Sequence, residues 1–123
     1  MALHNKILIA DDDSEMLEIL SSMLEEEGYV VVRAENGQEA VDLARKELPA
    51  LVMLDIHMPK MDGLTACREI KADKVTKGVP VVMLTVEGSI NEIQQAISYG
   101  AKTYITKPSS KAEILKVVKS ILY

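Results

Sequence analysis

The sequence predicts an α/β protein in which five strands and five helices alternate. Short apolar runs recur through the 123 residues, and segments with helical spacing of apolar residues lie between them. Several runs consist almost entirely of Val, Ile, Leu and Met, which is typical of strands covered on both faces. Because strand–helix–strand crossovers are right-handed, this alternation favours one doubly wound parallel (βα)5 sheet with helices on both faces.

The strands are predicted from the apolar runs. In chain order they are KILIA (6–10), YVVVRA (29–34), ALVMLD (50–55), PVVMLT (80–85) and KTYITK (102–107).

The helices are predicted from apolar spacing together with start and stop signals. A helix over 14–27 ends at Gly28, and a helix over 62–73 carries apolar residues at helical spacing. Gly100 ends the fourth helix. Capping boxes open the second, fourth and fifth helices, at NGQE (36–39), SINE (89–92) and SKAE (110–113).

Composition limits the class of protein. Residues 1–123 are long enough for one domain, 48% are hydrophobic, and the net charge of −5 without a basic stripe disfavours direct binding of nucleic acid. Cys67 stands alone, so the chain has no disulfide framework and no Cys-based zinc site. No segment has the length of a signal peptide or of a membrane span. We therefore expect a cytoplasmic protein.

Polar residues follow four of the five predicted strands. Open α/β sheets bind ligands outside the carboxyl ends of their strands, so these residues are the candidate site. They are Asp11, Asp12 and Asp13 after strand 1, Asp55 at the end of strand 3, Thr85 at the end of strand 4, and Lys107 followed by Pro108 at strand 5.

The crowded carboxylates predict a magnesium site. Asp11, Asp12 and Asp55 in one crevice cannot all stay ionised and unpaired, and Lys107 offsets only one charge. Mg²⁺ prefers oxygen ligands and binds one or two carboxylates together with a phosphate. A calcium-binding EF-hand loop is excluded, because Met16 and Ser22 replace its required Gly and Glu.

Four segments together resemble the receiver domain of two-component response regulators, with the single-domain chemotaxis type as the nearest model. The segments are ILIADDDS (7–14), MLDIHMPKMDG (53–63), VVMLT (81–85) and YITKP (104–108). The resemblance covers residues 5 to 123. It implies a flavodoxin-like fold with strand order 2-1-3-4-5.

The resemblance also implies a role for each site residue. Asp55 would be the phosphoryl acceptor, and Thr85 and Lys107 would hold phosphoryl oxygens. Tyr104 would be the aromatic switch residue, which moves inward when Thr85 shifts. The metal ligands would be Asp11, Asp12, Asp55 and the backbone carbonyl of His57, and the peptide bond between Lys107 and Pro108 would be cis.

The implied function is a signalling switch rather than an enzyme. A sensor histidine kinase or a phosphotransfer protein would donate the phosphoryl group, with a small phosphodonor as a substitute. The changed surface, formed by helix 4, strand 5 and helix 5, would bind a downstream effector or an output domain. The same surface would support a monomer or a weak dimer.

Four positions depart from the family pattern or vary within it. Val86 replaces the smaller residue that usually follows the Thr, and its bulk would narrow access to the acceptor. Ser109 replaces the Phe that commonly follows the Pro. His57 and Glu87 occupy positions that the family uses to tune the phosphoryl lifetime, and we expect the same here.

Two alternatives remain open at this stage. One is a phosphohydrolase with an Asp nucleophile after strand 1, similar to haloacid dehalogenases, for which Asp11 and Asp13 supply a partial motif. The other is a receiver-like module that binds partners without phosphorylation. A dinucleotide-binding fold has no support, because no Gly-x-Gly-x-x-Gly follows strand 1.

Overall fold

A computed structural model describes residues 5–86, 89–107 and 109–123, and it confirms the alternating architecture. Within these residues, no helix is both long enough and apolar enough to cross a membrane. The elements in chain order are β1 (Lys6–Ala10), α1 (Ser14–Glu26), β2 (Val30–Ala34), α2 (Gly37–Glu47), β3 (Leu51–Asp55), α3 (Gly63–Ala72), β4 (Val81–Val86), α4 (Ile90–Ser98), β5 (Thr103–Lys107) and α5 (Lys111–Leu122).

The five strands form one parallel sheet in the order β2-β1-β3-β4-β5, as predicted. The register aligns the carboxyl ends of the inner strands. Ala10 pairs with Leu54, and Asp55 pairs with Leu84. Thr85, which follows Leu84 in β4, pairs with Thr106. The polar residues that follow these strands therefore share one edge of the sheet.

The core consists of two apolar layers, one on each face of the sheet. Alternate residues of β1 face opposite layers: Leu8 packs on the side of α2 and α3, whereas Ile7 and Ile9 pack on the side of α1 and α5. All five residues of β3 are buried, as the continuous apolar runs predicted for strands with two covered faces. The edge strand β2 is partly exposed, with Val30 half exposed.

Most helix boundaries follow the predicted signals. The Asn36 side chain accepts a hydrogen bond from the Glu39 amide (2.8 Å) and the Ser110 hydroxyl accepts one from the Glu113 amide (3.1 Å). Both predicted stop glycines have positive φ, +93° and +112°. The predicted capping box at Ser89 is wrong: its side chain makes no cap hydrogen bond, because its backbone (φ −91°, ψ 36°) is not extended as a capping residue requires.

Candidate functional site

Three carboxylates converge at the carboxyl edge of the sheet. Asp11 follows β1, Asp55 ends β3, and β1 and β3 are neighbours at the point where the strand order reverses. One carboxylate oxygen from each of Asp11, Asp12 and Asp55 lies within 4.8 Å of the others. Asp11 and Asp55 are buried and Asp12 is exposed, so the cluster opens to solvent on one side.

Lys107 connects the last strand to both buried carboxylates. Its Nζ atom lies 2.9 Å from Oδ2 of Asp11 and 3.4 Å from Oδ1 of Asp55. The amide of Asp13 donates a hydrogen bond to the other oxygen of Asp11 (3.0 Å), and no part of Asp11 is exposed. Asp13 also caps α1 by accepting hydrogen bonds from the amides of Glu15 and Met16. The predicted meeting of Asp11, Asp55 and Lys107 is therefore observed, and Asp13 caps α1, as expected of an Asp just before a helix.

Burial and charge shift the protonation equilibria of this group. Burial, together with the charge of neighbouring Asp11, raises the pKa of Asp55 from 3.8 to about 6 against the opposing attraction of Lys107. Burial acts to lower the pKa of Lys107, but the hydrogen bond to Asp11 and the charge of Asp55 outweigh it, so the pKa is raised. At neutral pH Lys107 is a cation, and Asp55 is mostly ionised in a site that penalises its charge.

Thr85 and Tyr104 lie on the neighbouring strands. Thr85 is buried, and its hydroxyl donates a hydrogen bond to the backbone carbonyl of Val86 (3.2 Å). Tyr104 is 45% exposed and lines a surface hollow of about 490 Å³ between β5 and α5. Val86 is itself 53% exposed at the end of β4. The Thr85 hydroxyl is therefore engaged by the backbone in this structure.

The segment after Asp55 packs closely against two glycines, Gly63 and Gly37, whose packing role the sequence pattern did not predict. A Cβ atom at Gly63 would lie 1.9 Å from the backbone oxygen of Asp55, and the Gly63 amide donates to the Ile56 carbonyl (2.7 Å). A Cβ atom at Gly37 would lie 2.0 Å from the Met61 carbonyl. Gly63 directly follows Asp62, whose side chain caps α3. These contacts hold the loop after β3 against the sheet.

His57 points its side chain toward α4. Its Nε2 atom lies 3.3 Å from Oε2 of Glu92, which is in the first turn of α4. The sequence did not predict Glu92 as a partner of His57, because the two residues belong to segments that are far apart in the chain. The expected use of the His57 carbonyl as a metal ligand stays a prediction. Glu87, Pro108 and the predicted cis bond lie outside the described residues.

The carboxylate cluster fits Mg²⁺ by its chemistry. It offers only oxygen donors, and its exposed side leaves space for the waters that Mg²⁺ retains. Within the described ranges no His or Cys side chain joins these acids, so the donor set does not favour a softer metal.

Comparisons with known proteins agree with this geometry. Residues 7–119 match the model of the response regulator receiver domain. The probable transcriptional regulator ycf27 of Porphyra purpurea is 39% identical over 117 residues, which are 95% of this chain but 47% of that protein. Protein PilH of Pseudomonas aeruginosa is 37% identical over 95% of this chain and 97% of its own length. The chain thus spans about half the length of the first relative and nearly all of the second.

Solved structures show the same fold. A putative response regulator from Chloroflexus aurantiacus is 36% identical with a TM-score of 0.91, covering 97% of this chain and 98% of the other. The receiver domain of the sensor histidine kinase PA1611 from Pseudomonas aeruginosa has a magnesium ion coordinated in its active-site cleft, and it is 26% identical with a TM-score of 0.89 over 97% and 98% of the two chains. The chain belongs to the family of two-component response regulator receiver domains.

Proposed function

We propose that Asp55 is the residue of this receiver domain that accepts the phosphoryl group. The observation that carries the proposal is the position of Asp55: it is the one member of the carboxylate cluster that ends a buried inner strand while Lys107 and the two other acids face it. Receiver domains are in general phosphoacceptor switches. The donor would be a sensor histidine kinase or a phosphotransfer protein.

The transfer step requires the ionised form of Asp55. An oxygen of its carboxylate attacks phosphorus, a new P–O bond forms, and the bond from phosphorus to the donor atom breaks with its electron pair. A pKa of about 6 leaves most of Asp55 ionised at neutral pH. Lys107 is placed to neutralise charge on the phosphoryl oxygens, which is the main contribution that a protein makes to this reaction.

Asp11, Asp12, Asp55 and the His57 carbonyl would hold Mg²⁺. When bound, the ion would neutralise carboxylate and phosphoryl charge that Lys107 alone cannot offset. Asp11 is already oriented by the Asp13 amide and by Lys107, so its ligand oxygens are fixed before an ion binds.

The output would follow from a new hydrogen bond at Thr85. In the present structure its hydroxyl donates to the Val86 carbonyl. After phosphorylation the same hydroxyl would instead donate to a phosphoryl oxygen, and this difference would shift β4 and allow Tyr104 to move inward. The apolar side chains of Ile90, Ile97 and Tyr104 are exposed on the surface formed by α4, β5 and α5. That surface would bind the downstream effector or output domain, or a second copy weakly.

The contacts of Asp11 argue against the phosphohydrolase alternative. Asp11 is fully buried and paired with Lys107, so it is not open for attack on a substrate. The complete set of acids, Thr85 and Lys107 likewise argues against a module that is never phosphorylated.

Intact-mass analysis after incubation with acetyl phosphate and Mg²⁺ tests the acceptor. The parent should gain one phosphoryl group, and Asp55→Asn should gain none. Asp13→Asn is the matched control, because it removes a neighbouring carboxylate that only caps α1. An unchanged parent, or equal gain in parent and Asp55→Asn, would overturn the assignment. Sustained phosphomonoester turnover with the label on Asp11 would favour the phosphohydrolase.

A further inference from the structure

The loop that follows the proposed acceptor, called the acceptor loop here, contacts α4 through the side chains of His57 and Glu92. His57 lies two residues after Asp55, and its Nε2 atom is 3.3 Å from Oε2 of Glu92. The His57 side chain is 69% exposed and that of Glu92 is 33% exposed. The pair therefore joins the acceptor loop to the first turn of a helix on the proposed output surface.

The beginning of α4 lacks a side-chain cap. Ser89 is buried but makes no cap hydrogen bond with its side chain, and the next residue, Ile90, is 65% exposed. The far end of the helix is held more firmly: Ala96 is buried, and the Arg68 guanidinium lies over the Tyr99 ring at 5.7 Å. The contact with His57 thus acts on the less restrained end of the helix.

We propose that Glu92 is a positioning residue for the metal site and acts through the side chain of His57. The inference rests on the proposed function, in which the backbone carbonyl of His57 is a metal ligand. A ligand loop that is already restrained loses less conformational freedom when an ion binds, and contacts behind the ligands commonly supply this restraint. Because coupling between two sites is reciprocal, binding of Mg²⁺ also orders the first turn of α4.

Positioning and simple electrostatics predict different results for His57→Ala. This variant keeps the backbone carbonyl, so the ligand set is unchanged. If Glu92 acted only by its negative charge, loss of its carboxylate would weaken Mg²⁺ binding, but loss of the His57 imidazole would not. If Glu92 acts through His57, either substitution weakens binding, and the double variant is no weaker than either single one.

The experiment measures Mg²⁺ affinity by amide NMR titration, since the chain has no Trp to report binding by fluorescence. His57→Ala and Glu92→Ala should each weaken binding about two- to fivefold, the range expected for one exposed side-chain contact of this kind. Glu15→Ala is the control, because it removes an exposed first-turn carboxylate from α1, close to the acids in sequence. Hydrogen exchange supplies a second readout: Mg²⁺ should slow exchange of the first-turn amides of α4 in the parent and in Glu15→Ala, but not in His57→Ala.

Three outcomes distinguish failure of the positioning role of Glu92 from failure of the proposed metal site. A parent that binds no Mg²⁺ overturns the proposed metal site and the positioning role together. A parent that binds Mg²⁺, with His57→Ala equal to it, overturns the positioning role alone. Equal weakening by Glu92→Ala and Glu15→Ala, with no change in α4 exchange, also overturns it, because charge alone then accounts for the result.

Discussion

Replacement of Asp55 by Asn should stabilise the metal-free protein at neutral pH, although it removes the proposed acceptor. The Asp55 carboxylate is buried beside Asp11, and its pKa is raised to about 6 for that reason. The folded state therefore holds a charge that the unfolded chain would carry at lower cost. Asn has nearly the same shape as the protonated acid and carries no charge.

The expected size of the effect follows from this pKa. A rise from 3.8 to about 6, at about 1.4 kcal/mol for each pH unit, corresponds to about 3 kcal/mol, and it already includes the attraction of Lys107. The sign follows from proton binding. Well below pH 3.8 Asp55 is protonated in both states, so its charge contributes nothing to the difference between parent and variant. As the pH rises from 4 to 6, the folded parent loses this stability and the variant does not.

Urea unfolding in EDTA across pH 4 to 8 measures this difference. We expect Asp55→Asn to gain about 2–3 kcal/mol over the parent at pH 8 and to converge with it near pH 4. Asp12→Asn is the control, since its carboxylate is exposed, and it should gain less. Added Mg²⁺ should narrow the gap by stabilising the parent. A variant that is no more stable than the parent at pH 8, or a gap independent of pH, would refute the electrostatic account.

Four further substitutions have defined expected outcomes. Lys107→Met leaves buried Asp11 without its cation, so urea unfolding should show a loss of about 3–5 kcal/mol, partly restored by Mg²⁺. Gly63→Ala places a Cβ against the Asp55 carbonyl and should lower the melting temperature sharply, whereas Gly78→Ala, with nothing within 4 Å, should not. Ser21 has a buried hydroxyl without a partner among the described residues, and Ser21→Ala should raise stability by about 1 kcal/mol; an unchanged midpoint would count against a desolvation cost. Val86→Ala should speed labelling by acetyl phosphate in an intact-mass time course, if the exposed valine narrows access to Asp55.

The sheet could be predicted because its determinants are local. Continuous apolar runs such as ALVMLD and PVVMLT indicate strands buried on both faces, whichever strands pair with them. The observed β3 and β4 begin and end within one residue of the predicted bounds. The strand assignments also predicted that Asp11, Asp55 and Lys107 lie at one edge of the sheet, because the carboxyl ends of parallel strands meet there.

Other features depend on contacts between segments that local patterns do not encode. The pairing of His57 with Glu92 requires the position of α4 relative to the loop after β3. The need for Gly63 arises from the close approach of the Asp55 backbone, which becomes visible only when α3 is packed. Ser89 has the residue type of a cap and the correct spacing to Glu92, but its backbone conformation prevents the bond. Residue type therefore predicted which side chains could make a cap or a contact, and backbone geometry determined which of these interactions formed.

The contact between Lys107 and Asp11 joins side chains 96 positions apart, from the last strand and the end of the first. The reactive edge is consequently assembled only when synthesis has passed β5 and the whole sheet has closed. A nascent or truncated chain that ends before Lys107 would present two like charges without their cation. If Asp55 is the acceptor as proposed, only completed domains would accept a phosphoryl group, and incomplete copies would not compete with them for the donor.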